Sequence, residues 1–140
     1  MKDDSEKKSP AEALYKEGMS QNLQSGSASK TLARANFERA ASLGHMKALR
    51  ALSEMTYVGS GGEKNPELAL HYKWNAFLRD QQALEALEEL ASLIGSYAEE
   101  LKGDRKASER ANKAAEHAEQ AYEHLEYVSE FLSGLALNRN

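Results

Sequence analysis

Four histidines are the side chains of this 140-residue chain best suited to binding a metal, and no cysteine accompanies them. His117 and His124 are seven residues apart, a spacing that places both on one face of a helix. No histidine lies three residues after a glutamate and no two are four apart, so two helical metal signatures are missing. The sequence therefore predicts packing or surface histidines and no metal site, with a weak site at His117 and His124 as the alternative.

The glycine-rich segment Gly59-Ser60-Gly61-Gly62 is the next candidate for chemistry, because glycine loops can bind phosphate. It follows a helical pattern rather than a strand, and it lacks the Gly-Lys-Ser/Thr ending, which favours an ordinary turn. No Gly-x-Ser-x-Gly nucleophile motif occurs. We therefore expect no catalytic residue and no cofactor, and a metal-dependent enzyme is only the remote alternative.

Helices must position all of these residues, because Ala, Leu, Glu, Lys and Gln dominate the chain and apolar residues recur at helical spacing. Asn65-Pro66 is typical of a helix start, and Gly44 lies where a left-handed residue would end a helix. The segment from Glu116 to Ala121 contains no helix breaker, and the apolar seam runs through Ala118 without a change of phase, which favours one continuous helix there. The predicted helices span about 10–23, 30–43, 45–58, 66–79, 81–102 and 104–133.

An internal repeat is the strongest pattern in the sequence. The segment 33–41 aligns with 69–77 and with 107–115, at offsets of 36 and 38 residues. A period of this size is typical of stacked helix pairs, each of which buries its apolar face on the next.

The repeats resemble the Sel-one-like repeat family, relatives of tetratricopeptide repeats, over about 11–118. The resemblance rests on Ala48, Leu52, Gly59, Gly61, Asn65, Ala69 and Tyr72 in the middle repeat, on Phe37, Arg39, Ala40, Ala41 and Gly44 in the first, and on Lys106, Ala107, Lys113, Ala114 and Ala115 in the third. Ser53 and Thr56 depart from the family pattern, which has Gly and Tyr there.

The resemblance implies an all-α superhelix of stacked antiparallel hairpins, with two long C-terminal helices added by the seam pattern. We expect a flexible tail at 1–9 and one domain at 10–140, made of repeats at 10–44, 45–79 and 80–118 and a capping extension at 119–140. Bacterial proteins similar to this often serve as interaction modules, and some protect against toxins or effectors. The implied function is therefore a protein-binding scaffold, an adaptor or an inhibitor of the immunity type.

Two surfaces and one aromatic side chain are the candidate partner contacts. One stripe lies opposite the apolar side of the third helix, which in such repeats lines the concave surface; it comprises Lys47, Arg50, Glu54 and Tyr57. An acidic stripe on the last helix suits a partner with a basic surface, and it comprises Glu116, Glu119, Glu123, Glu126 and Glu130. Ordinary solvated faces are the alternative for both stripes. Trp74 is either a binding anchor or a packing residue.

Net charge argues against one class of partner. Residues 1–79 hold 12 basic and 9 acidic side chains, whereas 80–140 hold 6 basic and 13 acidic ones. The acidic part repels nucleic acid and no dense basic patch offsets it, so we expect no nucleic-acid partner. No apolar run approaches the roughly 18 residues of a membrane span. We expect a cytoplasmic protein, or a periplasmic or secreted one if a signal peptide has been removed.

Self-association is the second functional hypothesis. The seam of the last predicted helix extends beyond that of its neighbour, so Leu125, Val128, Leu132 and Leu135 lack a predicted partner within the hairpin. These side chains either fold onto the preceding repeats or bury themselves in a homodimer.

Overall fold

The computed structural model describes residues 9–80, 83–120 and 124–138, the last three as backbone only. The predicted tail at 1–9 lies outside this part of the chain apart from Ser9. The described residues are helical with no strand, which confirms the all-α prediction. The helices are α1 Pro10–Asn22, α2 Ser27–Ser42, α3 Met46–Val58, α4 Pro66–Arg79, α5 Leu84–Glu100, α6 Arg105–Gln120 and α7 Leu125–Asn138. None of these helices is both long and apolar enough to cross a membrane.

Helix ends follow their local sequence closely. The Asn65 side chain accepts a hydrogen bond from the Leu68 amide at 3.1 Å, so the predicted cap at the start of α4 is confirmed. Asp104 caps α6 in the same way through the Ala107 amide at 3.1 Å. Gly44 has a φ of 88° after the end of α2, in the left-handed region predicted for it.

The chain divides into two compact units, Met1–Tyr72 and Lys73–Asn140. In the first unit, α1 and α2 form an antiparallel hairpin in which Asn36 donates to the Gln21 side chain at 2.7 Å. Helix α3 turns back along α2. Their shared core is built from Ala33, Phe37, Ala40, Ala48, Leu52 and Met55, with Leu14, Tyr15 and Ala51 packed against it.

The turn after α3 is fixed on α2 by one buried arginine. The guanidinium of Arg34 donates to the carbonyl of Ser60 at 3.2 Å and to that of Glu63 at 2.8 Å. Gly61 lies directly over α2 with a φ of 73°, where an added Cβ would overlap the Lys30 carbonyl. The glycine segment is therefore a turn, and only glycine fits at position 61.

In the second unit, α5 and α6 form an antiparallel hairpin. Helix α5 buries Leu87, Leu90 and Ile94, and the alanine seam of α6 is buried at Ala111, Ala114 and Ala118. Small side chains let the two helix backbones approach closely, and the Ser108 hydroxyl donates to the Ala98 carbonyl at 3.1 Å across the hairpin.

The prediction of one continuous helix at 104–133 was wrong. Helix α6 ends at Gln120 and α7 begins at Leu125. The His117 and His124 rings stack with centroids 4.4 Å apart, and Arg110 lies over the Phe131 ring at 5.2 Å. Because the contacting pairs lie progressively farther apart in sequence, from His117 and His124 to Arg110 and Phe131, α7 runs antiparallel to α6. The reversal buries Val128 and Leu132 of α7.

Candidate partner-binding faces

Helix α3 presents the predicted stripe on its outer side. Lys47 and Glu54 are exposed, and Arg50 and Tyr57 are half-buried. On the opposite side of the same helix, Ala48, Leu52 and Met55 are buried in the core. The burial pattern of α3 therefore agrees with the division of this helix that the sequence predicts.

His45 fixes the start of α3 through both of its ring nitrogens. Nδ1 accepts a hydrogen bond from the Ala48 amide at 3.1 Å, and Nε2 lies 2.7 Å from the Glu12 carboxylate on α1. Since Nδ1 acts as the acceptor, Nε2 carries the proton and donates it to Glu12. The Tyr15 ring stacks on the imidazole with centroids 4.5 Å apart. Sequence reasoning missed this cap, because histidine is not among the residues usually preferred there.

The hydrogen bond from His45 lowers the pKa of the Glu12 carboxyl, and the charges of Lys16 and Lys47 act in the same direction. Desolvation by burial opposes them. The ionised carboxylate therefore holds α1 against the start of α3.

The predicted acidic stripe does not lie on one helix. Glu116 and Glu119 are exposed on α6, whereas Glu126 and Glu130 are exposed on α7, after the chain has reversed direction. Glu123 lies outside the described residues. The continuous stripe was thus a consequence of the wrong prediction of one long helix.

Trp74 lies in the second unit, where its ring contacts that of Phe77 at a centroid distance of 5.6 Å. Trp74 is half-buried and Phe77 is fully buried. A side chain that already packs on its own helix has less surface to offer a partner.

His117 and His124, which the sequence placed on one helix face, instead stack on each other, with His117 on α6 and His124 just before α7. Their planes differ by only 21°. The edge of Tyr127 contacts the His117 ring at 4.8 Å. Because each lone pair lies in the plane of its ring, two stacked and nearly parallel rings cannot both direct a lone pair at one shared metal ion. Within the described ranges, no group of three histidine, aspartate or glutamate side chains could hold a metal ion.

Two further polar features escaped sequence reasoning. An open cleft of about 250 Å³ lies between α2 and the turn after α3, and it is lined by Thr31, Arg34, Ala35, Glu38, Gly61, Gly62 and Glu63. Arg34 and Ser60, which meet beside this cleft, are 26 residues apart, so spacing in the sequence alone could not reveal it.

In the second unit the Lys73 side chain is buried, with Nζ 3.9 Å from the Glu89 carboxylate on α5.

The seam that motivated the dimer hypothesis is buried within a single chain. Val128, Leu132 and Leu135 are no more than 9% exposed, and Leu125 is half-buried. These side chains therefore fold inward and do not form an open apolar face. Comparison of the whole chain with protein families, with curated proteins and with solved structures gave no match.

Proposed function

We propose that this chain is a protein-binding scaffold of stacked helix hairpins, of the Sel-one-like repeat type, and that it binds its partner through the outer side of α3. The observation that carries the proposal is the exposure of Lys47 and Glu54 on a helix whose other side is fully packed. Such a helix offers a rigid surface, and a rigid surface loses little conformational entropy on binding.

Equivalent positions of the three repeats support the repeat assignment. Ala40, Ala76 and Ala114 occupy the same position and are all fully buried. Phe37, Lys73 and Ala111 share the position three residues earlier, and they are also buried. Similar burial at equivalent positions is expected when each hairpin packs in the same way.

The use of the reactive side chains favours binding over catalysis. His45 caps α3, Arg34 holds the turn after it, and Lys73 lies beside Glu89. Each side chain is committed to contacts within its own unit, whereas the exposed polar groups of α3 are spread along a helix surface. That distribution suits recognition of a protein surface better than conversion of a small substrate.

A capture experiment with a matched pair of variants tests the proposal. The wild-type chain, a Lys47→Glu/Glu54→Lys variant and a Lys106→Glu/Lys113→Glu control on α6 are each immobilised and exposed to lysate of the source organism. We expect one protein to be retained by the wild type and the control and lost from the α3 variant. Equal retention by all three chains would remove α3 as the binding surface, and retention of no specific protein would contradict the scaffold function.

Circular dichroism checks that both variants fold. Each variant changes only exposed charged side chains. Their spectra and thermal midpoints should remain close to those of the wild type.

A further inference from the structure

His45 caps α3 with a side chain of a type that can take up a proton near neutral pH. Its Nδ1 accepts a hydrogen bond from the Ala48 amide at 3.1 Å, so this nitrogen carries a lone pair and the neutral ring holds its proton on Nε2. Asparagine, serine and threonine, the usual caps, keep their acceptor oxygen at every physiological pH. Histidine is instead the side chain that ordinarily changes charge between about pH 5 and 8. The start of α3 is thus held by an acceptor that a proton can remove.

The imidazole cannot keep the cap by turning within its site. Nε2 lies 2.7 Å from the Glu12 carboxylate, and the Tyr15 ring stacks on the imidazole with an angle of 22° between the planes. The Tyr15 ring in turn contacts that of Phe37 on α2 at 5.8 Å, and the His45 side chain is only 13% exposed. A ring flip does not help, because both nitrogens of a charged imidazole are donors. Either way, an N–H group would face the Ala48 amide, which is itself a donor.

The charges around the imidazole act in opposite directions on a second proton. The Glu12 carboxylate on α1 favours the charged ring, although its side chain is 40% exposed and solvent screens such a pair. Lys16 on α1 and Lys47 on α3 act on the same carboxylate and oppose a further cation beside it. The positive end of the α3 dipole opposes it as well. From α2, the Ala40 carbonyl accepts from the His45 amide at 3.1 Å. Uptake of a proton is therefore compatible with the contact to Glu12 but not with the cap.

We propose that His45 is a proton-controlled cap, which closes the first turn of α3 in its neutral form and releases the Ala48 amide in its charged form. The charged ring keeps its hydrogen bond to Glu12, so acid opens the turn while residue 45 stays joined to α1. The turn that opens carries Lys47, one of the exposed groups of the proposed binding surface. The inference itself does not depend on the proposed function.

An NMR titration of the wild-type chain between about pH 8 and pH 5.5 tests the cap. Two-bond nitrogen–proton correlations of the His45 ring report its tautomer and its charge. Quenched-flow hydrogen exchange measures how strongly the Ala48 amide is protected, relative to the intrinsic exchange rate at each pH. The Leu68 amide in the same sample is the internal control, because Asn65 caps α4 at the same distance of 3.1 Å with a side chain that does not titrate.

We expect the Nε2–H tautomer at about pH 8 and the charged ring as the pH falls. The Ala48 amide should lose about fivefold of its protection with the same midpoint, which corresponds to the loss of a cap of about 1 kcal/mol. Protection of the Leu68 amide should not change. In a His45→Asn variant, which keeps a capping oxygen but takes up no proton, the Ala48 amide should stay protected throughout.

Four results would overturn the inference. An Nδ1–H tautomer at about pH 8 would show that the ring does not accept from Ala48. A ring that stays neutral down to about pH 5.5 would show that no proton reaches the cap. Protection of Ala48 that persists beside a charged ring would show that the turn is held by other groups. Equal loss of protection at Leu68, or in His45→Asn, would show a general loosening in acid that His45 does not control.

Discussion

His45 Nε2 and Glu12 Oε1 lie 2.7 Å apart, although the two residues are 33 positions apart in the chain. One hydrogen bond therefore joins the start of α1 to the start of α3. The same imidazole caps α3 through Nδ1, which accepts from the Ala48 amide. One side chain thus determines both where α3 begins and how it aligns with α1.

Replacement of His45 separates these two roles. His45→Ala removes the cap and the link to Glu12, and loss of a cap alone costs about 1 kcal/mol. His45→Asn restores a capping oxygen but not the link, so its free energy of unfolding should lie between those of His45→Ala and the wild type. Urea denaturation followed by circular dichroism measures the order. If the Asn variant were no more stable than the Ala variant, the cap would contribute little.

Acid should weaken the link through Glu12. Because the folded-state pKa of Glu12 is lowered from 4.5, its ionised form contributes stability above the unfolded-state pKa. That contribution is lost as the pH falls through the lowered folded-state value. The stability difference between wild type and Glu12→Gln should therefore be present at about pH 5.5 and shrink as the pH falls through the lowered folded-state pKa of Glu12.

Denaturation curves over this pH range provide the measurement, and the His45→Asn background provides the control. There the pH dependence of the difference should be smaller, because the donor that lowers the pKa is gone. A difference that grows on acidification would contradict the assignment.

Thr56→Val should stabilise the protein. The Thr56 hydroxyl is fully buried and has no hydrogen-bond partner among the described residues. Replacing a buried unsatisfied hydroxyl by a methyl group of similar size should raise the free energy of unfolding by about 1 kcal/mol. Ser53→Ala is the control with the opposite expected sign, because the buried Ser53 hydroxyl does have a partner. It donates to the Ala69 carbonyl at 2.6 Å. Its loss should lower stability by about 1 kcal/mol, and equal signs for both variants would be inconsistent with these assignments.

Gly61→Ala should destabilise the protein more than Gly26→Ala. Both glycines have a positive φ, 73° and 108° respectively. An added Cβ at Gly26 meets nothing within 4 Å, whereas at Gly61 it would overlap the Lys30 carbonyl. Gly26→Ala should thus cost only the backbone strain, about 1–2 kcal/mol, and Gly61→Ala should cost more. Equal costs in thermal denaturation would show that the turn can move away from α2.

Leu132→Ala should weaken folding without altering self-association. Leu132 is 1% exposed within the single chain, and truncation of a buried leucine costs about 2–5 kcal/mol. Leu84→Ala, at a side chain that is 61% exposed, is the control and should have little effect. Light scattering at several concentrations measures assembly in parallel. A change of molar mass with Leu132→Ala would restore the dimer hypothesis.

Sequence patterns predicted the helices where local signals were decisive. Asn65 and Gly44 marked helix ends because a cap and a left-handed residue depend on neighbouring backbone groups. The reversal between α6 and α7 carried no such signal, since it follows from burial of side chains such as Val128 and Leu132. Arg34 and His45 escaped notice because their roles depend on groups 26 and 33 residues away.

The two turns of the first unit differ in how much change they tolerate. The segment after α3 is held by Arg34 and pressed against Lys30, whereas Gly26 stands in open space. Exposed turns without such contacts accept additional residues with little loss of stability. A fluorophore or an affinity tag inserted beside Gly26 should therefore leave both faces of the hairpin accessible, which makes this turn the natural attachment point for partner screening.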